Sequence, residues 1–139
     1  MISSVQVAVD CHDPHALADF WAAVMGYEVE FDDDFIRGLI AAGQATEDDV
    51  IEHNGHVQWK TAAACRDPEG KHPRLLFQQV PEPKSVKNRW HLDIHIGEGR
   101  ESEIERFMAL GATHLWDGRQ GPHTWVTLAD PEGNEFCVS

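Results

Sequence analysis

The tetrapeptide Asp67-Pro68-Glu69-Gly70 returns as Asp130-Pro131-Glu132-Gly133, and each copy closes the same succession of an alternating strand, a helix and a glycine stop. A repeat of that kind confines the chain to folds built from two like modules. Pro presets the turn at its second position and Gly accepts a positive φ at its fourth, so each tetrapeptide is expected to join two antiparallel strands. In the first copy Val5, Val7 and Val9 alternate with Gln6, Ala8 and Asp10, the period of a half-buried strand. Asp13 and Pro14 then open a helix whose apolar stripe is Ala16, Leu17, Phe20, Trp21 and Val24, and Gly26 stops it. In the second copy Trp90, Leu92, Ile94 and Ile96 alternate with His91, Asp93 and His95. A helix follows with Ile104, Phe107 and Met108 on its apolar face, and Gly111 ends it.

The two glycine stops lie farther apart than the two turns, so the first copy carries an insert between helix and turn. Phe35, Ile36, Leu39 and Ile40 recur there at helical spacing within 34–42, and the acidic run Glu47-Asp48-Asp49 suits the start of another short helix. Such an insert either covers a pocket or packs as a surface helix. Two prolines make Val80-Pro81-Glu82-Pro83-Lys84 a linker rather than a central strand. The expected organisation is a first βαβββ module over residues 1–80 with a helical insert near 33–53, a linker at 81–88, and a second module over 89–139.

With 139 residues, 42% of them apolar and 25% charged, the chain has the balance of one globular domain of α+β class. Its formal charge of −13 argues against a nucleic-acid partner. No apolar run is long enough for a membrane span, and the start lacks a signal-peptide pattern, so a cytoplasmic protein without a membrane partner is expected. Cys11, Cys65 and Cys137 are odd in number and far apart, which reads as reduced thiols, chiefly small buried apolar residues.

The duplicated βαβββ pattern, the helix motif Asp13-Pro14-x-x-Leu17-Ala18-x-Phe20-Trp21 and the terminal Asp130-Pro131-Glu132-Gly133-Asn134-Glu135-Phe136-Cys137-Val138 resemble the vicinal oxygen chelate superfamily. The segment 80–93, Val-Pro-Glu-Pro-Lys-Ser-Val-Lys-Asn-Arg-Trp-His-Leu-Asp, is similar to one typical of its glyoxalase-like domain proteins. The resemblance implies two modules curling their sheets into a half-open β-cup with helices outside. It also implies a small-molecule substrate or ligand, and an assembly that is often a homodimer. Members that use metal hold one divalent ion with His, Gln or Glu. By that resemblance Gln6 falls on the first-strand ligand position, His91 on its counterpart in the second module, Cys137 where the last strand normally supplies glutamate, and Gln78, or neighbouring Phe77, on the first module's last strand. One imidazole, one thiol and two amides suit zinc, nickel or iron better than a hard ion. Asp93 or Glu135 stands near enough to add an oxygen ligand, and the presence of any metal stays open.

The row His91-x-Asp93-x-His95 is the other chemical feature. Same-face neighbours on a strand lie about 7 Å apart, within reach for a carboxylate to act on an imidazole, and that arrangement suits general acid–base catalysis. It is equally what a hydrated sheet face looks like. His12, His15, His53, His56, His72, His114 and His123 read as surface residues. Trp21 and Trp90 read as packing. Trp59, Trp116, Trp125 and Phe77 are candidates for stacking on a flat substrate. Lys87, Asn88 and Arg89 form a basic spot that either meets an anionic substrate or pairs with local acids. Two functions stay open: a glyoxalase-like enzyme of lyase, isomerase or dioxygenase type using His91 with Asp93 or His95, and a non-catalytic binding protein that sequesters a drug or metabolite, as bleomycin-resistance proteins do.

Overall fold

The computed structural model describes Met1–Ser139, and the chain divides into two compact units, Met1–Glu82 and Pro83–Ser139. In the first, β1 (Gln6–Cys11) leads into α1 (Pro14–Met25) and β2 (Glu28–Val29). The insert follows as α2 (Asp33–Ala41), a single 3-10 turn at Glu47–Asp49, and the hairpin β3 (Val50–His53) and β4 (His56–Trp59). Strands β5 (Ala62–Arg66) and β6 (Arg74–Gln79) complete the unit. The sheet order is β1-β6-β5-β2, with β1 parallel to β6 and the other pairs antiparallel. In the second unit β7 (Asp93–Ile94), α3 (Arg100–Leu110), β8 (Thr113–Gln120), β9 (His123–Ala129) and β10 (Glu135–Val138) form the sheet β7-β10-β9-β8 with the same pattern of pairing. The α+β class and the βαβββ repeat are therefore both present. The insert is longer than a helix alone, since it includes the β3–β4 hairpin.

The repeated turns work as their residues dictate. The Asp67 carboxylate accepts the N–H groups of Glu69, Lys71 and His72, and Asp130, itself buried, accepts those of Glu132 and Asn134. Gly70 (φ 68°) and Gly133 (φ 86°) occupy the left-handed region that the fourth position requires.

Helix α1 starts at Asp13, whose side chain accepts from the N–H groups of His15 and Ala16, and stops at Gly26 in the left-handed conformation. Its buried face holds Leu17, Phe20, Trp21 and Val24, as the spacing predicts, but Ala16 is exposed and Ala18 and Ala22 are buried in its place. His15 is also buried, contrary to its reading as a surface residue. Its Nε2 donates to the Trp59 carbonyl at 2.7 Å, which ties the hairpin of the insert to α1. His53 continues that seam at 2.8 Å from Asp19, and His56 lies 2.9 Å from Asp33 of α2.

The core face of the first sheet carries Leu75, Phe77, Ala63 and Cys65. Phe77 is 0% exposed and is a core residue, not a stacking platform. Burial and the nearby Glu30 carboxylate push the Cys65 thiol up to about 12, so it stays neutral, and Cys11, Cys65 and Cys137 are all free thiols. In the second unit Phe107 of α3 meets Phe136 of β10 at 6.3 Å between ring centroids, with Leu128 and Val138 also buried. Met108 is 45% exposed and Trp90 is 93% exposed, so neither joins this core as its spacing suggests. At Trp90 the chain has not yet entered the sheet: the ladder begins where the Cys137 N–H donates to the Leu92 carbonyl, and it runs on to Ile96. No helix is long and apolar enough to cross a membrane.

Candidate functional site in the second unit

Opposite the Phe136 layer, the second sheet presents its polar face to a cavity of about 390 Å³. Strand alternation decides what lines it. His91, Asp93 and His95 come from the β7 edge, Glu135, Cys137 and Ser139 from the β10 row, and His123, Trp125 and Thr127 from β9. Their chain neighbours Leu92, Ile94, Leu128, Phe136 and Val138 are less exposed and turn to the core.

Strand β8 supplies Trp116 and Gln120 by a different route. His114 pairs with Leu128 of the core face, yet Trp116 pairs with Thr127 of the cavity face, so Leu115 is an extra residue in the ladder. That bulge shifts the register by one and brings Trp116 to the cavity, where the Lys87 ammonium stands 5.8 Å from its ring centroid. Farther along the strand Gly118 pairs with Trp125, and a Cβ added at Gly118 would fall 2.0 Å from Trp125 Cε2. Only glycine lets the indole lie across β8.

Within this cavity His91 Nδ1 is 2.9 Å from Asp93 Oδ1. A carboxylate accepts, so the shared proton belongs to Nδ1, and Nε2 is the nitrogen left to act as a base or ligand. Cys137 pairs with Asp93 across the parallel ladder and with Thr127 across the antiparallel one. Its Sγ lies 3.5 Å from Thr127 Oγ1. Ligand atoms of His91, Asp93 and Cys137 all lie within 4.8 Å of one another. His95 Nδ1 is 2.7 Å from Ser139 Oγ.

Glu135 also borders the cavity, but its carboxylate is engaged by the Asn88 N–H at 2.9 Å and by Lys84 Nζ at 3.3 Å. Burial pushes this carboxyl up, and those two donors outweigh the effect and hold it below the ordinary glutamate value. A carboxylate whose folded value is depressed stabilises the fold fully above its unfolded value, about 4.3, and loses that contribution as pH falls through the folded one. Asp33, Asp67 and Glu103 are lowered as well. The melting temperature should therefore fall below about pH 4. In Glu135→Gln the drop between neutral and acid pH should be smaller, which thermal melts at both pH values will check.

The remaining residues singled out as metal ligands belong to the first unit. Gln6 and Gln78 lie on the same face of their sheet, opposite Arg74 and Asp10 respectively. The Gln6 Oε1 atom accepts from Arg74 NH1 at 2.6 Å, and Arg74 Nε donates to Glu30 at 2.5 Å. Trp59 borders a separate hollow of that unit beside Phe31, Phe35 and Ile36. His123 was legible only as a surface histidine, and the signal that would have placed it is the period-two row His123, Trp125, Thr127.

The glyoxalase-like domain model matches residues 6–139. No curated protein matches the chain. Among solved structures, a glyoxalase/bleomycin resistance protein/dioxygenase family enzyme from Burkholderia phytofirmans PsJN is 16% identical, with 96% of this chain and 94% of that one covered and a TM-score of 0.64. A mutant of the fosfomycin resistance protein FosX from Listeria monocytogenes, complexed with Mn(II) and 1S,2S-dihydroxypropylphosphonic acid, is 13% identical, covering 99% and 90% with a TM-score of 0.63. The bleomycin-binding protein of Streptomyces verticillus, complexed with copper(II)-bleomycin, is 14% identical, covering 100% and 96% with a TM-score of 0.56. At these identities the structures speak for the fold alone. With the family model spanning both βαβββ modules, the chain belongs to the glyoxalase-like domain family.

Proposed function

We propose that the second unit binds a small planar organic molecule against Trp116 and Trp125, and that His91, oriented by Asp93, moves a proton on it in a lyase-, isomerase- or dioxygenase-type reaction. The observation that carries this reading is the 2.9 Å His91–Asp93 pair bordering a cavity with two tryptophans. A carboxylate behind Nδ1 fixes the tautomer and steadies the imidazolium that forms when Nε2 takes a proton. The aromatic walls supply apolar contact while the polar face orients the molecule. Small molecules held by proteins of similar fold, a dihydroxypropylphosphonic acid in FosX and bleomycin in its binding protein, support a small-molecule ligand.

The donor set of His91, Asp93 and Cys137 fits a soft divalent ion of the zinc type, one imidazole, one carboxylate and one thiol. Such an ion would polarise an oxygen of the bound molecule. Metal analysis of the purified protein separates the two forms of the proposal. Stoichiometric zinc, nickel or iron that is lost in Cys137→Ser assigns a metal-assisted reaction, and metal-free protein assigns acid–base chemistry by the dyad alone.

The test of function is proton exchange. Incubated in heavy water with a panel of aromatic 2-oxo and 2-hydroxy acids, the wild type should place deuterium on carbon in at least one member, followed by NMR. His91→Gln should lower that rate at least about 100-fold, and Asp93→Asn less. A ligand that binds tightly with no exchange in the wild type would overturn the enzymatic reading in favour of sequestration, which the open, tryptophan-walled cavity would equally serve.

A further inference from the structure

A second hollow, of about 520 Å³, adjoins the candidate site and shares His95, His123 and Ser139 with it. Its distinctive member is Arg100, the first residue of α3. The guanidinium is fixed rather than free: NH1 donates to the Thr124 carbonyl and to Thr124 Oγ1, both at 3.1 Å. Its side chain is 24% exposed, and it has N–H donors beyond those two bonds. Glu101, the one side-chain carboxylate bordering this hollow, approaches Arg100 NH2 at 3.4 Å but is itself 79% exposed, a contact that water screens.

His95 and His123 stand at the junction of the two hollows. His95 spends Nδ1 on Ser139 Oγ and keeps Nε2, and His123 lies with its ring 5.7 Å from that of Trp125. Lys87 adds a further cation on the Trp116 side. Of the side-chain carboxylates in the first cavity, Asp93 is committed to His91 and Glu135 to Lys84 and Asn88. A chain with formal charge −13 thus gathers an anchored arginine and two histidines beside its aromatic walls. An anchored guanidinium with N–H donors to spare, beside two imidazoles able to donate, is the arrangement expected where an anionic group is received.

From this we infer that the ligand of the second unit carries an anionic group, a carboxylate or a phosphate-type oxyanion, that seats on Arg100 with His95 and His123, while its planar part lies against Trp125. The inference rests on the binding site proposed above and adds the charge class of what enters it. Arg100 is a specificity residue in this account and takes no part in the proton transfer.

Two probes of matched shape test it, 2-naphthoate and 2-naphthamide, titrated by calorimetry into the wild type and three variants. The wild type should bind naphthoate about tenfold more tightly than naphthamide, and added salt should narrow the gap. Arg100→Gln should bring the ratio close to one, and Arg100→Lys should keep most of it. Trp125→Leu should weaken both probes alike. Circular dichroism of each variant should match the wild type, and if Arg100→Gln does not fold, Arg100→Met takes its place with the same expected loss of the ratio. Equal binding of the two probes by the wild type, or a preference that survives Arg100→Gln, overturns the anionic subsite. If Trp125→Leu still weakens both probes in that case, the cavity stands and only its charge class falls. Failure of both probes to bind at millimolar concentration contradicts the subsite and the cavity together.

Discussion

Phe136→Ala should destabilise the second unit by about 3–5 kcal/mol, against a total folding stability on the order of 5–15 kcal/mol for a domain. The ring is 1% exposed and packs at 6.3 Å on Phe107, the one buried residue of α3. Removing it takes away most of what holds that helix to its sheet and leaves a cavity too apolar for water to fill usefully. Because Phe136 sits between Glu135 and Cys137 on β10, the loss should also loosen the polar row on the opposite face. Urea unfolding followed by circular dichroism measures the cost, and Phe136→Leu should recover much of it. A change below about 1 kcal/mol would mean that α3 is not anchored as described.

Gly118→Ala should remove binding of a planar ligand with little change in chemistry elsewhere. The added methyl would occupy the place of the Trp125 indole, at 2.0 to 2.4 Å from three of its atoms, so the ring must leave β8. Overpacking of this kind costs about 1–3 kcal/mol. The near-ultraviolet circular dichroism of the tryptophans should change with it. A cycle separates stability from function: Gly118→Ala with Trp125→Leu removes the clash, so the double variant should be more stable than the sum of the single changes predicts, while ligand affinity stays lost. Additive stabilities would contradict the stacking of Trp125 over Gly118.

Much of this architecture could be read from residues alone, and for identifiable reasons. Asp67 and Asp130 fold their own turns through local hydrogen bonds, Asp13 and Gly26 bound α1 by capping, and the alternation from His91 to Ile96 separates a wet face from a dry one with no tertiary information. What escaped depends on contacts between distant segments. His15 is polar and sits near a helix start, and only the hairpin carbonyl of Trp59 explains its burial. Trp90 looks like the first residue of a strand, yet no partner strand reaches it, and it is left exposed. The bulge at Leu115 has no glycine or proline to announce it, and without it Trp116 would be assigned to the wrong face. Gly118 likewise shows its purpose only when Trp125 is found across the ladder. The candidate site was thus legible along β7 and β10, where a single period decides it, and illegible along β8, where register does.

The five tryptophans report whether ligand binds in the cavity over the second sheet. In heteronuclear NMR of the nitrogen-labelled protein titrated with 2-naphthoate, the indole resonances of Trp116 and Trp125 should move together with the imidazole signals of His91. Trp21, packed in α1, and Trp59, beside the hollow of the first unit, should stay in place. Movement of Trp59 with Trp116 and Trp125 unchanged would put the binding site in the first unit and contradict the account.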